Sequence, residues 1–328
     1  MLVIHRDSGL LEHRHFRDLT DYLGAGDLLV ANDSRVLPAR LYGHKLDSGG
    51  AVEALLLQAE GEDTWRALVK PGRRVHSGHV LEFERQQVYT CPTDAEAAGP
   101  EALRAEVLES DGNGESGVRR LKFALGGGDL ARALEAYGVT PLPPYIHAPL
   151  ADAERYQTVY ARPAGSVAAP TAGLHFTERL MADLRKQGVG IEYVTCHIGL
   201  HTFRPIDSDE VEEHEIHQEL CLVPPAVAEA CGRAKRVVAV GTSSVRSLES
   251  AWRDGAVRPF EGWSDLYIYP GYQWRAVDVM ITNFHLPRTT LLALVSSFAS
   301  RELILQAYEE AKRLGYRFYS FGDACLLL

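Results

Sequence analysis

The chain has 328 residues, 46% hydrophobic and 24% charged, with a formal net charge of -10. That length suits two domains, and that composition suits packed cores rather than disorder. No apolar run nears the roughly 18 residues of a membrane span, and so acidic a balance disfavours nucleic acid except through a local basic groove.

The first residues, Met1–Asp7, lack the basic start and apolar stretch of a signal peptide, so a cytoplasmic location is expected. Leu28–Ala31 reads as a strand. From about Gly43 to Phe123 the texture changes to short β-type runs: Ala51–Gln58, Trp65–Val69, His79–Phe83, Val88–Cys91, Arg104–Leu108 and Val118–Phe123. Turn signals such as Pro71-Gly72 and Asp111-Gly112-Asn113-Gly114 separate them, and this spacing predicts a small barrel or sandwich. Asp94–Glu101 reads as an exposed loop. Thr177 caps an expected helix that runs to Gln187 and stops at Gly188. Strands follow at Ile191–Cys196, Val237–Val240, Val277–Thr282 and Arg317–Phe321; helices follow at Ser243–Trp252, Thr289–Phe298 and Arg301–Leu314. This alternation predicts an α/β fold whose mixed, largely parallel sheet is flanked by helices. Residues 1–42 and 130–328 would form that catalytic domain, with 43–129 inserted as a small β-barrel. The five cysteines, Cys91, Cys196, Cys221, Cys231 and Cys325, are scattered and odd in number, which fits reduced thiols.

Ligands of open α/β sheets bind beyond the carboxyl ends of the strands. Four segments place unusual residues there. Asn32-Asp33-Ser34-Arg35, continuing to Arg40, forms either a polar clamp or an Asx-type turn. Gly165–Phe176 is rich in small residues that permit close backbone approach, and it holds Thr171, Ala172, Gly173, Leu174, His175 and Phe176. His175 can act as acid or base near neutral pH; a tight turn with a satisfied histidine is the plainer reading. In Val240-Gly241-Thr242-Ser243-Ser244-Val245-Arg246, a strand, a glycine and hydroxyls open a helix that can bind an oxyanion, with Arg246 one turn in. Capping by Thr242 or Ser243 is the alternative. Thr282-Asn283-Phe284-His285-Leu286-Pro287-Arg288-Thr289 presents Asn283, His285 and Arg288 before a helix that Thr289 can cap. His197, His201, His214 and His217 match no standard zinc spacing, and no metal is expected. Tyr267–Tyr272, with Tyr269, offers aromatic faces that could stack on a base.

Together these segments resemble the S-adenosylmethionine:tRNA ribosyltransferase-isomerase family of queuosine biosynthesis. The matching stretches run in order from Asn32–Arg40 through Gly50–Glu53, Pro71–Arg74, Gly165–Thr177, Gly199–Pro205, Val240–Ser250, Tyr269–Tyr272 and Thr282–Leu292 to Tyr316–Asp323. The ordered set is specific where each piece alone is weak. The resemblance implies an α/β domain with an inserted β-barrel. It implies transfer of the ribosyl part of S-adenosylmethionine to the 7-aminomethyl-7-deazaguanine base at the tRNA wobble position. Epoxyqueuosine forms, and adenine and methionine leave. S-adenosylmethionine is then a co-substrate, with no permanent cofactor, tRNA is the partner, and a monomer is expected. Family members usually begin some residues before the strand that here starts at Leu2, and His201 stands where they commonly have glycine.

In the reaction this implies, a base forms an ylide at the 5′ carbon, an acid assists adenine, and the amine attacks as methionine leaves. Expected catalytic residues are His175, His285 and Asp33. Expected substrate-binding residues are Asn32, Ser34, Arg35, Arg40, Thr171, Ala172, Gly173, Leu174, Phe176, Gly241, Thr242, Ser243, Arg246, Tyr269, Asn283, Arg288 and Thr289, while Arg35, Arg73, Arg74 and Arg288 would make the basic groove. Two other readings compete: a catalytically altered tRNA-binding relative of the same fold, and another S-adenosylmethionine-dependent transferase. Against the latter stands the lack of an early glycine-rich turn followed by an acidic ribose-binding residue.

Overall fold

A computed structural model describes the chain except residues 86–101, 111–116, 127, 144, 147, 149, 151, 200–205 and 207. The chain divides into two compact units, Met1–Arg35 with His147–Leu328, and Val36–Ile146. In chain order the first unit begins with β1 (Leu2–Ile4), β2 (Leu11–His13) and β3 (Asp27–Asn32). The second holds β4 (Arg40–Lys45), β5 (Ala51–Ala59), β6 (Thr64–Lys70), β7 (Val80–Phe83), β8 (Leu103–Ser110), β9 (Val118–Ala124) and α1 (Leu130–Tyr137). The first unit then resumes with α2 (Glu178–Lys186), β10 (Gly190–His197), β11 (Glu219–Val223), α3 (Pro225–Arg233), β12 (Arg236–Val240), α4 (Gly241–Ser250), β13 (Phe260–Ser264), β14 (Val279–Asn283), α5 (Thr290–Phe298), α6 (Arg301–Arg313) and β15 (Ala324–Leu327).

The large sheet runs β13-β11-β10-β3-β12-β14-β15-β1-β2. β10, β3, β12 and β14 are parallel neighbours, as are β15 and β1; the other pairs are antiparallel. The mixed sheet expected from the sequence is therefore parallel at its centre and antiparallel toward its edges. β3 is all but continuous in apolar residues because both its faces are covered. Leu28 and Val30 join a core with α3, α4, α5 and α6 through Val227, Leu248, Val295 and Ile304. Leu29 and Ala31 join a second core with α2 and the Phe16–Asp21 turn through Leu184 and Leu19. These are called here the α4 face and the α2 face. The register sets Ala31 beside both Tyr193 and Val240, so β3 and β12 end within a residue of each other, while β10 and β14 run two or three residues farther.

In the second unit six antiparallel strands close in the order β4-β5-β6-β9-β8-β7 and back to β4. Leu81 and Phe83, Ala67 and Val69, and Leu121 and Phe123 alternate inward, as a small filled barrel requires. Arg119 is fully buried and donates to the carbonyls of Gly72, Val75 and Val118, which fixes the turn that carries the exposed Arg73 and Arg74. The unit reaches beyond residues 43–129 because β4 begins at Arg40 and Gly138–Val139 pairs with it. Val88–Cys91 and Asp94–Glu101 lie outside the described residues.

Two expected elements differ. Arg317–Phe321 is not a strand: Tyr319 adopts φ 74°, Asp323 ties back to Arg317, and the last strand is β15. The alternating aromatics there come from Phe318 packing on Phe284, 4.7 Å between ring centres. The helix read as reaching Trp252 ends at Ser250, because Trp252–Arg253 pairs with Ala256–Val257. Thr177, Thr289 and Ser300 cap α2, α5 and α6 by accepting from backbone N–H groups.

Candidate active site

The strand ends hold two polar clusters, one on each face of the sheet. Side chains alternate along a strand. Asn32 therefore follows Leu28 and Val30 onto the α4 face, whereas Asp33 points to the α2 face.

On the α4 face Asn32 is fully buried. Its amide donates to the Cys196 carbonyl at 2.9 Å and to Ser243 Oγ at 3.1 Å. Its Oδ1 accepts from the N–H groups of Ser34 and Cys196, both at 3.0 Å. Asn32 thus locks β3 to β10 and to α4. The β12-to-α4 turn needs φ 82° at Gly241, a conformation that glycine takes without strain. Neither Thr242 nor Ser243 caps α4, so the capping alternative fails, and among the described residues the first N–H groups of this helix have no side-chain cap. Farther along α4, Arg246 is buried and donates to Glu219 Oε2 at 2.6 Å and to the carbonyls of Ser264 at 3.1 Å and His217 at 3.3 Å. Its expected anion is thus first of all a protein carboxylate. His285 Nε2 bonds Thr282 Oγ1 at 2.7 Å, and the His285 backbone N–H donates to the Tyr308 hydroxyl at 3.0 Å.

On the α2 face Asp33 Oδ1 accepts from Thr195 Oγ1 at 2.7 Å. Burial raises its carboxyl above the usual range, against the lowering pull of Thr195 and Arg162. Thr171 donates to Asn283 Oδ1 at 2.9 Å, and Asn283 Nδ2 lies 3.3 Å from His175 Nε2. His175 stacks on Phe16, 4.9 Å between ring centres. The Thr171–His175 turn packs on α4 and β14. Gly173 is required there: a β-carbon would run into the Tyr160 hydroxyl and meet Thr158 Cγ2 at 2.7 Å. Ala172 and Phe176 are core residues of this face, and Leu174 is half-buried.

Burial lowers both His175 and His285 to about 4 from 6.5. The expectation that they titrate near working pH fails in this state, because desolvation disfavours the imidazolium. Their anchors, Asn283 and Thr282, also face opposite sides of β14, so the two histidines are separate groups.

The remaining expected residues scatter. The Ser34 hydroxyl is buried without a hydrogen-bond partner among the described residues. Arg35 pairs with Glu154, and Arg40, in the second unit, pairs with Glu53 at 3.1 Å. Tyr269 packs on Tyr267, 5.0 Å between centres. Arg288 is exposed at φ 58°. Leu200–Pro205, including His201, lies outside the described residues, and among the described residues no group of three or more His, Cys, Asp or Glu side chains could hold a metal ion. Thr195 and Glu219 join the clusters without any motif, their only signal a polar side chain near a strand end, while Thr282 opens a segment read for Asn283 and His285 rather than for itself.

An α/β protein with an inserted barrel and a polar site at its parallel strand ends belongs to the class that binds ligands beyond the sheet. A family model described as queuosine biosynthesis protein matches residues 1–327, and the chain belongs to that family. It is 50% identical to the S-adenosylmethionine:tRNA ribosyltransferase-isomerase of Moorella thermoacetica, over 100% of this chain and 92% of that protein. It is 47% identical to the protein of the same name from Natranaerobius thermophilus, with the same coverage. It is similar to the crystal structure of S-adenosylmethionine tRNA ribosyltransferase from Thermotoga maritima, at 35% identity and TM-score 0.51, over 100% of this chain and 91% of that one.

Proposed function

We propose that this chain is an S-adenosylmethionine:tRNA ribosyltransferase-isomerase. It moves the ribosyl part of S-adenosylmethionine onto the 7-aminomethyl-7-deazaguanine wobble base of tRNA and isomerises it to epoxyqueuosine, releasing adenine and methionine. The observation that carries this reading is the full-length identity to proteins of that name. The polar clusters at the strand ends agree with it.

In this reading the α/β unit is the catalytic one, and S-adenosylmethionine lies across its carboxyl edge. His175, His285 and Asp33 handle protons. Both imidazoles are neutral near pH 7, so they enter as proton acceptors. Asp33 and Asn283 hold ribose hydroxyls or a base edge, and the open start of α4 at Gly241–Ser243 receives an anionic group. Asn32, whose amide is already spent on protein partners, keeps the strand ends in register rather than holding substrate. Tyr269 offers a stacking face. Exposed Arg73, Arg74 and Arg288 supply local positive charge for tRNA on an acidic chain.

The test is mass spectrometry of tRNA carrying the deazaguanine precursor after incubation with the protein and S-adenosylmethionine. Epoxyqueuosine with free adenine is the expected result. S-adenosylhomocysteine as product would mean a methyltransferase instead, and tRNA binding without product would mean a non-catalytic relative.

A further inference from the structure

Behind the strand ends, on the α4 face, is a cleft of about 550 Å³ counting its open mouth. Arg246, Glu219, Tyr267, His214, Leu291 and Leu294 are among its walls. Two of these walls carry buried polar atoms that have no hydrogen-bond partner among the described residues: Arg246 Nε and the Tyr267 hydroxyl. Arg246 is itself 6% exposed. Leaving a buried polar atom unpaired is costly, so two in one cleft point to an occupant that satisfies them.

The chemistry of that occupant is constrained. Arg246 Nε can only donate, and the tyrosine hydroxyl can donate too, so the group between them is an acceptor. The guanidinium favours an anionic one. Glu219, bonded to Arg246 at 2.6 Å, adds a negative charge to the same wall. A dianionic phosphate would be repelled by it, whereas a zwitterion meets both signs. Leu291 and Leu294 offer an apolar wall to a short chain, and the aromatic pair of Tyr267 and His214, edge to face with ring centres 5.9 Å apart, suits a cation at its far end.

We infer that this cleft takes the α-amino-acid end of S-adenosylmethionine, its carboxylate on Arg246 Nε and the Tyr267 hydroxyl, its ammonium toward Glu219. The inference rests on the functional reading above and names the subsite for one end of that co-substrate. It also gives the cleft an orientation. The sulfonium comes out along the aromatic walls, and the nucleoside lies beyond the cleft, toward the strand ends. Ser243, one turn before Arg246 on α4 and bonded to Asn32, links the subsite to those ends.

Calorimetric titration of the full chain with S-adenosylmethionine, and with its analogue lacking only the carboxylate, tests this. The unaltered protein is expected to bind the carboxylate-bearing compound ~10–100-fold more tightly, the range for hydrogen bonds to a charged group. Tyr267→Phe is expected to weaken S-adenosylmethionine by about tenfold and to leave the decarboxylated analogue unchanged. Arg246→Lys is expected to weaken the first more strongly, read only if its melting transition is intact; Tyr267→Phe leaves the ion pair in place and needs no such proviso. Equal affinities for the two compounds in the unaltered protein, or equal losses for both in Tyr267→Phe, would overturn the subsite alone. No binding of S-adenosylmethionine at all would overturn the functional reading and the subsite with it.

Discussion

The two faces of the sheet end in different chemistry. On the α4 face the polar groups are strongly paired: Asn32 is saturated by four hydrogen bonds, and Arg246 meets Glu219 in a buried ion pair. On the α2 face they form a neutral chain, Thr171 to Asn283 to His175, and the same face carries a carboxyl raised by burial, Asp33. The first arrangement resists movement and fixes charge in place. The second holds groups that the reading above assigns to proton transfer. In the reading above, binding belongs mainly to the first face and proton transfer to the second.

That division can be broken by experiment. The largest expected effect is at His175, where replacement by alanine should lower turnover by ~10²–10⁴ if it exchanges a proton in the rate-limiting step. A folded variant with near-normal single-turnover rates would remove proton transfer from the α2 face. Next comes Arg246→Met. It strands Glu219 in a buried site, and loss of one partner of such a pair costs about 3–5 kcal/mol. Urea denaturation should show that loss, and Arg246→Met with Glu219→Leu should recover much of it. Full additivity of the two single losses would deny that the pair acts as a unit.

A smaller effect is the pH dependence of stability. His175 and His285 fall to about 4 from 6.5 on folding. Between those values the unfolded chain binds more protons than the folded one. Stability is therefore full above about pH 6.5 and falls as the pH drops toward 4, by at most about 1.4 kcal/mol per pH unit for each histidine. His285→Gln should flatten that slope. An unchanged slope would mean that His285 does not titrate as its burial requires. The smallest is Gly173→Ala, expected to destabilise by about 1–3 kcal/mol as the turn overpacks against Tyr160. Replacing Tyr160 by phenylalanine in the same chain should relieve part of it.

Much of this was legible beforehand. The apolar runs ending at Asn32, Val240 and Asn283 are strands whose polar residues begin where the strands stop, and Thr177 and Thr289 cap the helices they precede. The final strand was misplaced, because Tyr316 and Phe318 alternate only to pack on Phe284. Arg246 was found, but its partner Glu219 was not: 27 residues separate them, and nothing in either segment signals the pairing.

The sequence by itself determined which segments are strands and helices and which residues crowd the strand ends, because periodicity and capping act over a few residues. Only the tertiary structure decided that Asn32 is a strut and Asp33 a titratable group. The sheet buries one side of each strand under α4 and the other under α2, and neighbours in the chain thereby enter different surroundings. Charge state was decided there too. A histidine reads as a neutral-pH titrator until its ring is stacked on Phe16 or enclosed beside Thr282, and desolvation then takes the proton away.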